Sequence, residues 1–287
     1  MSWMMLLLLS VIWGSSYILV KKALVVFSVP EVVFFRILCG FIALLPFSAK
    51  FTKSLTLSQF KHITIIGIAG TLIPMYFFSL SLVYVDSGLD GILGALTPMY
   101  VLFFNYILFR DHVSKNDIIG VGFCVIGVLI IFAIEGGFNI NSFNYYLLIG
   151  MMGNVLYGCS SSLIKKYCNG MSPIGIVGTS FFVIGIISLF FCIYNYGMFT
   201  KVYYNPHGLK SLIALIFVGI VNLGFANVLF TLIVERESPI FVSIESVLSP
   251  MVAILLGIID GEQIKYWHIT SFTLIMMGIY YISSKKK

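Results

Sequence analysis

Ten long apolar stretches, each almost free of charged residues, fill this chain of 287 residues from end to end. A helix that crosses the hydrocarbon core of a bilayer needs about 20 such residues. The stretches therefore predict ten membrane-spanning helices. The predicted spans are Trp3–Val20, Val32–Ala49, Ile63–Val85, Ser87–Phe109, Ile118–Ile134, Ser142–Ile164, Ile174–Phe199, Ser211–Val234, Pro239–Ile259 and Tyr266–Ser284.

The composition also indicates that lipid surrounds most of the chain. Hydrophobic residues make up 60% of the sequence and charged residues 10%, and the mean hydropathy is +1.05. Long apolar runs fit helices, whereas the strands of a membrane barrel alternate apolar and polar residues. We therefore predict an all-α polytopic membrane protein without a soluble domain. The five cysteines lack a Cys-x-x-Cys spacing, so we expect neither a metal site nor a disulfide, and no cofactor.

The net charge of +6 indicates membrane topology rather than binding to nucleic acid. If the N-terminus is cytoplasmic, eleven basic residues lie in cytoplasmic segments and five in outer segments. The positive-inside rule then predicts that both termini are cytoplasmic, and we expect a bacterial inner (plasma) membrane. The cytoplasmic set is Lys50, Lys53, Lys61, Arg110, Lys115, Lys165, Lys166, Arg236, Lys285, Lys286 and Lys287, and the outer set is Lys21, Lys22, Lys201, Lys210 and Lys265.

An internal repeat divides the chain into two halves. Residues 13–22, Trp-Gly-Ser-Ser-Tyr-Ile-Leu-Val-Lys-Lys, align without gaps with residues 157–166, Tyr-Gly-Cys-Ser-Ser-Ser-Leu-Ile-Lys-Lys. Leu-Thr-Pro-Met at 96–99 likewise corresponds to Leu-Ser-Pro-Met at 248–251. Each half contains five spans, an odd number, so the second half must cross the membrane in the opposite sense. The sequence therefore predicts two inverted five-helix repeats, residues 1–137 and 138–287.

The chain resembles the EamA branch of the drug/metabolite transporter superfamily over its whole length. The resemblance rests on the Trp-Gly-Ser-Ser-Tyr segment with its two lysines, on Pro30 and Arg36 at the second span, and on Pro98 and Pro250. Each of the last two prolines is followed by an acidic residue and an apolar span. The resemblance implies transport of small organic metabolites through a central cavity lined by helices 1–4 and 6–9, with helices 5 and 10 peripheral. It does not imply a substrate.

Glu245 is the candidate for coupling or substrate recognition. Arg36, Asp90, Glu245 and His268 are the ionisable residues inside the predicted spans. A charge at the centre of a bilayer costs about 2.5 kcal/mol or more, so each should face protein or water. The predicted depth of Glu245 and the serines near it fit a proton carrier or a partner for a substrate amine. A structural acid that binds a neighbouring helix is the alternative.

Arg36 and Asp90 lie at similar predicted depths near the outer ends of the second and fourth spans. Their opposite charges predict an ion pair. A permanent structural bridge is the favoured interpretation, and a gate is the alternative.

Aromatic and amide side chains complete a predicted pocket. Helical spacing and the internal repeat place several of them on related faces of the bundle. Rings, amides and one carboxylate suit a zwitterion, an aromatic metabolite or an organic cation. Ordinary helix packing is the alternative for any one of these side chains. The candidates are Trp13, Tyr17, Tyr76, Tyr100, Asn154, Tyr157 and Asn227.

These features predict a secondary transporter that moves a small organic metabolite by alternating access. The sequence has no Gly-x-x-x-x-Gly-Lys-[Ser/Thr] loop, so ATP is not expected to drive it. Proton coupling, exchange and a homodimer stay open. The alternative function is a membrane-embedded enzyme or a lipid translocase acting on lipid-linked substrates. Its best candidate is the polar cluster Arg110-Asp111-His112, which a solvated loop also explains.

Overall fold

The computed structural model describes residues 2–52, 55–110, 112–135, 144–168, 170–236 and 245–283. Within these ranges the chain forms helices joined by short turns and contains no strand. This agrees with the predicted all-α class. The main helices are α1 (Ser2–Leu24), α2 (Val29–Thr52), α3 (Leu57–Ser81), α4 (Ser87–Phe109), α5 (Lys115–Glu135), α6 (Tyr145–Tyr167), α7 (Pro173–Tyr194), α8 (208–236), α9 (Glu245–Ile259) and α10 (Tyr266–Ser283).

Eight of these helices, α1 to α8, are long and apolar enough to cross a membrane. The prediction of ten spans is therefore confirmed for eight. In the described part of the chain, α9 has only 15 residues, because residues 237–244 lie outside that part. The last helix, α10, has 18 residues and begins with Tyr-Trp-His, whose polar groups lower its hydropathy.

Several spans depart from regular α-helix. Both α3 and α8 contain a π-helical segment, Ile68–Leu72 in α3 and Val218–Phe225 in α8. A turn at Ala95 and Leu96 separates the two α-helical parts of α4. Such irregular turns occur often at functional sites, because they free backbone groups and redirect side chains. Inside a membrane they are tolerated only where protein or water covers the backbone.

The helices pack in pairs that follow the internal repeat. If each helix is replaced by the helix five positions away in the chain, the main helix–helix contacts map onto one another. Thus α1 packs on α8 and α9, while its counterpart α6 packs on α3 and α4. Helix α2 packs along α7, and α5 packs along α10. The α5–α10 pair has few contacts with the other helices, which fits the peripheral position implied for these two helices.

Glycines allow the close approach of α5 and α10. A Cβ atom added to Gly120 would lie 2.5 Å from the carbonyl oxygen of Gly278. A Cβ atom on Gly278 would in turn lie 2.5 Å from the carbonyl oxygen of Gly120. Because both obstacles are backbone atoms, they cannot rotate away. Small residues at such crossings are the usual means by which membrane helices come into contact.

We predict that Gly120→Ala lowers the stability of the α5–α10 pair, since the added methyl group meets backbone. Overpacking of this kind costs about 1–3 kcal/mol. The matched control is Gly122→Ala on the same helix, where an added Cβ has no atom within 4 Å. Thermal unfolding of both purified variants in the same detergent should show a lower midpoint for Gly120→Ala only. Equal midpoints for the two variants would contradict the prediction.

Candidate functional site

Tyr17 of α1 lies at the centre of the bundle, against the glycine-rich face of α4. A Cβ atom on Gly94 would lie 2.5 Å from the Tyr17 hydroxyl oxygen, and one on Gly91 would lie 3.9 Å from Cε2 of the ring. A larger side chain at Gly94 would displace the ring. Glycine at this position therefore allows the tyrosine to reach across to the fourth helix.

Glu245 lies at the first described residue of α9 and faces α1. One of its carboxylate oxygens, Oε1, accepts a hydrogen bond from the hydroxyl of Ser249, one helical turn further on. The same hydroxyl oxygen lies 3.3 Å from the backbone carbonyl oxygen of Ser10 in α1. Gly14 makes this approach possible, since an added Cβ atom there would lie only 2.6 Å from the carbonyl oxygen of Ser249. The carboxylate is therefore bound within α9 by a serine that itself contacts α1.

Three predicted residues from three other helices lie within electrostatic reach of the Tyr17 hydroxyl. The charges of Asp90 in α4 and Glu245 in α9 act on the Tyr17 hydroxyl, as does Tyr157 in α6. Glu245 also acts on the hydroxyl of Tyr157. Tyr157 also keeps 45% of its surface accessible, so its side chain is not packed into the core.

Two predicted pocket residues occupy packing positions instead. The Trp13 ring lies against Phe230 of α8, with the ring centroids 5.4 Å apart, and belongs to an apolar cluster between α1 and α8. Tyr100 is 9% exposed and belongs, with Cys124 of α5, to an apolar cluster formed by both halves. Its Cβ atom touches α6, since a Cβ on Gly158 would lie 2.7 Å away. The helical turn after Pro98 directs Tyr100 toward α5 and α6, so it does not reach Glu245.

The remaining candidates lie at separate places in the bundle. Asn154 of α6 donates to the carbonyl oxygen of Gly150, and its side-chain oxygen lies 3.4 Å from the hydroxyl of Thr97 in α4. Asn227 of α8 donates to the carbonyl oxygen of Leu223 at 2.7 Å. Tyr76 of α3 is 37% exposed. Asn154 thus joins the fourth and sixth helices one turn before Tyr157.

The predicted ion pair between Arg36 and Asp90 is wrong. Arg36 Nη2 donates to the carbonyl oxygen of Met75 in α3 at 3.2 Å, and Asp90 Oδ1 accepts from the hydroxyl of Ser81 at 2.8 Å. Within the described residues, Arg36 Nε and Asp90 Oδ2 have no hydrogen-bond partner. Equal depth in the membrane does not fix the direction of a side chain. Asp90 faces α6, where a Cβ atom on Gly150 would lie 2.7 Å from its Oδ1.

A polar cluster that the sequence did not predict closes one end of the bundle. Glu262, in the turn between α9 and α10, accepts from the backbone N–H of Ser87 at 2.9 Å and of Gly88 at 3.0 Å. It also accepts from the Ser87 hydroxyl at 2.9 Å and from Lys21 Nζ at 2.8 Å. Lys21 binds Asp86 at 2.7 Å as well. We call this group, Lys21, Asp86, Ser87, Gly88 and Glu262, the Glu262 cap.

The Glu262 cap replaces the usual N-terminal cap of a helix. Asp86 precedes α4 and has the backbone conformation of an N-cap, but its side chain makes no capping hydrogen bond. Because the Asp86 carboxylate binds Lys21, an acid from the other half of the chain satisfies the first N–H groups of α4. Carboxylates at this position stabilise a helix through both hydrogen bonds and the helix dipole. The cap therefore ties α1 and α4 to the turn before α10.

The described residues of the polar cluster Arg110-Asp111-His112 do not assemble a catalytic site. Asp111 lies outside the described residues. Arg110 ends α4 in a left-handed conformation with φ of 55°, and His112 is exposed.

We predict that the cap stabilises the protein less as the pH falls. Burial alone would raise the pKa of Glu262, but the hydrogen bonds from Lys21 and from the Ser87 and Gly88 N–H groups outweigh it, so its pKa lies below the ordinary value. A lowered pKa contributes stability above the unfolded value, about 4.3, and that contribution is lost as pH falls through the folded pKa. The thermal midpoint of wild type should therefore drop more steeply than that of Glu262→Gln below about pH 4.3.

Lys210→Gln serves as the control, because it removes an exposed charge beside Lys22 at the same end of the molecule without touching the cap. Its midpoint should follow the wild-type curve. Parallel curves for wild type and Glu262→Gln would mean that the cap does not contribute.

Comparisons with known proteins agree with this architecture. An uncharacterized transporter of Archaeoglobus fulgidus is 24% identical over 77% of this chain and 76% of its own length. An uncharacterized transporter of Clostridium kluyveri is 23% identical over 93% of this chain and 86% of its own. One solved crystal structure superposes with a TM-score of 0.59 at 14% identity, covering 97% of this chain and 99% of the other. The model of the EamA-like transporter family matches residues 1–133 and 144–284. The chain is therefore an integral membrane protein that belongs to the EamA-like transporter family.

Proposed function

We propose that the protein is a secondary transporter that carries a small organic metabolite by alternating access, with Glu245 as the residue that binds a substrate amine or the coupled proton. One observation carries the proposal: Glu245 lies where α9 of the second half meets α1 of the first, within electrostatic reach of Tyr17 and Tyr157. A carboxylate at the contact between two moving halves can respond to which side of the membrane is open.

The chemistry around Glu245 favours a cationic, zwitterionic or aromatic substrate. Within the described residues, Glu245 accepts a hydrogen bond from the hydroxyl of Ser249, and the rings within its electrostatic reach belong to Tyr17 and Tyr157. An ionised carboxylate inside a membrane is costly when no cation pairs with it. A substrate ammonium group or a proton would remove that cost, and the tyrosine rings would stack on an aromatic or cationic ligand. Among the described residues, no basic side chain binds Glu245 or its serine that could also attract an anion.

We further infer that the two halves form inverted repeats divided near residues 137 and 138. The exchange symmetry of the helix contacts supports this inference, and so does the family match in two stretches, 1–133 and 144–284. The contacts also bear on direction. Helix α1 ends beside Asp86, just after the end of α3, and α6 begins at Asn144, which donates to the carbonyl oxygen of Tyr84. The end of α1 and the start of α6 thus share one face, as opposite directions require. The boundary itself falls among residues 136–143, outside the described part of the chain.

The proposed orientation places both termini in the cytoplasm of a bacterial cell. It predicts that a membrane-impermeant maleimide labels Gln263→Cys on intact cells, because the α9–α10 turn faces outward. The same reagent should label His112→Cys, on the α4–α5 turn, only after the cells are opened. Both positions are exposed, and the native cysteines are replaced by alanine in both variants. The reverse pattern would overturn the orientation.

We predict that Glu245→Gln keeps the fold and impairs recognition or coupling. A panel of amino acids, amines and nucleoside-like metabolites is first scored by thermal shift, since a specific ligand raises apparent stability by mass action. For an amine-bearing ligand, the variant should bind at least about tenfold more weakly, which corresponds to about 1.4 kcal/mol. In liposomes, its transport should also lose the pH dependence of the wild type, because the amide cannot bind a proton.

Glu31→Gln is the matched control. Glu31, in the first turn of α2, pairs with Lys201 at 2.6 Å. This variant therefore removes an acid without touching Tyr17, Tyr157 or Glu245. It should retain wild-type binding and pH dependence. Wild-type binding and an unchanged pH profile in Glu245→Gln would reduce Glu245 to a structural acid.

A further inference from the structure

Asp90 is a buried acid whose second carboxylate oxygen has no partner. Its side chain lies in the first turns of α4 and is 1% exposed. Oδ1 accepts from the hydroxyl of Ser81 at 2.8 Å, and within the described residues Oδ2 has no hydrogen-bond partner. The backbone of α6 closes over it at Gly150, where an added Cβ atom would lie 2.7 Å from Oδ1. The space around this carboxyl group is therefore too small for an organic substrate.

No cation in the described part of the chain neutralises Asp90. The groups that face it are Ser81 of α3, Gly150 of α6 and Tyr17 of α1, and of these only Tyr17 is titratable. Lys21, near the end of α1, already forms ion pairs with Asp86 and Glu262. A buried charge without a counter-ion is expensive, so a carboxyl group in this position keeps its proton.

Asp90 lies directly beneath the Glu262 cap. The cap binds the N–H groups of Ser87 and Gly88, and Asp90 follows them within the same turn of α4. Glu262 is part of the second half, so any separation of the halves at this end must break its bonds to α4. On its inner side, Asp90 adjoins Tyr17, whose hydroxyl also lies within electrostatic reach of Glu245.

We propose that Asp90 is a second proton-binding residue of the transporter, and that the Glu262 cap closes its route to the solution at this end of the bundle. The step is a simple ionisation: the O–H bond of the Asp90 carboxyl breaks, the proton passes to water, and the electron pair stays on the carboxylate. With the cap closed, water does not reach the group and the proton is retained. The inference rests on the proposed transport function, because only a transporter must open this end.

The test follows the protonated carboxyl group itself by infrared spectroscopy of the protein in lipid nanodiscs, without any substrate. At neutral pH, wild type should show a carbonyl band of a protonated carboxyl group that Asp90→Asn removes. Asp117→Asn is the matched control, since Asp117 is also buried but accepts a hydrogen bond from the backbone N–H of Ser114. It should leave the band unchanged. Protonated-carboxyl absorption of equal intensity in wild type and Asp90→Asn overturns the proposal, because any band from Glu245 is common to both proteins.

Ser81→Ala provides a check that keeps the acid in place, in case Asp90→Asn fails to fold. It removes the hydrogen bond to Oδ1, so the same band should shift to higher frequency. A band that does not move would show that the protonated group is not Asp90, and the proposal would fall.

A last experiment tests the role of the Glu262 cap. After transfer to heavy water, the Asp90 band should exchange its proton for deuterium slowly in wild type and at least ten times faster in Glu262→Gln, whose amide cannot hold Lys21 and the α4 N–H groups in the same way. Lys210→Gln should exchange at the wild-type rate. Equal rates in wild type and Glu262→Gln would overturn the role of the cap. A failure of Glu245→Gln to alter transport would refute the proposed function but leave these spectra unchanged, so the two failures are distinguishable.

Discussion

The cost of placing a carboxylate inside a membrane protein organises the centre of this molecule. Three acids near the helix contacts meet that cost in different ways. Glu262 receives a lysine, a hydroxyl and two backbone N–H groups, and its pKa is held below the ordinary value. Asp90 accepts a hydrogen bond from one hydroxyl, and the backbone of α6 packs over it. Glu245 accepts a hydrogen bond from one hydroxyl and lies within electrostatic reach of two tyrosines. Both carboxylate oxygens of Glu262 accept hydrogen bonds, so we regard it as structural. Each of the other two acids could accept further hydrogen bonds beyond those from its described partner.

Close helix packing is what keeps these acids out of the lipid. Glycines on α1, α4 and α6 let neighbouring backbones and rings approach to distances that no larger residue allows. Gly14 brings α9 to α1, Gly94 receives the Tyr17 hydroxyl, and Gly150 closes over Asp90. The glycines therefore act on function indirectly, because each positions a polar group that would otherwise face hydrocarbon.

The sequence predicted the features that depend on composition and periodicity. Apolar runs specify spans whatever their neighbours, so eight of the predicted spans are confirmed. It could not predict contacts that depend on the rotation of a helix about its axis. Arg36 and Asp90 share a depth but turn to different neighbours, and Tyr100 turns into the core. The Glu262 cap was missed for a related reason, since it joins residues 175 positions apart through backbone N–H groups that carry no sequence signal.

The asymmetry of the charges is as informative as the symmetry of the helices. Aligning the two Pro-containing helices pairs Leu93 of α4 with Glu245 of α9. Leu93 is completely buried in an apolar core that both halves share, so the first half gains packing at the position where the second half carries a charge. Symmetric packing suits a scaffold that rocks between two equivalent arrangements. In the proposed transporter, a charge duplicated on both halves would instead place two carboxylates at the moving contact and raise the cost of closing it. A single Glu245 would keep that cost low and make it depend on one proton or one bound cation.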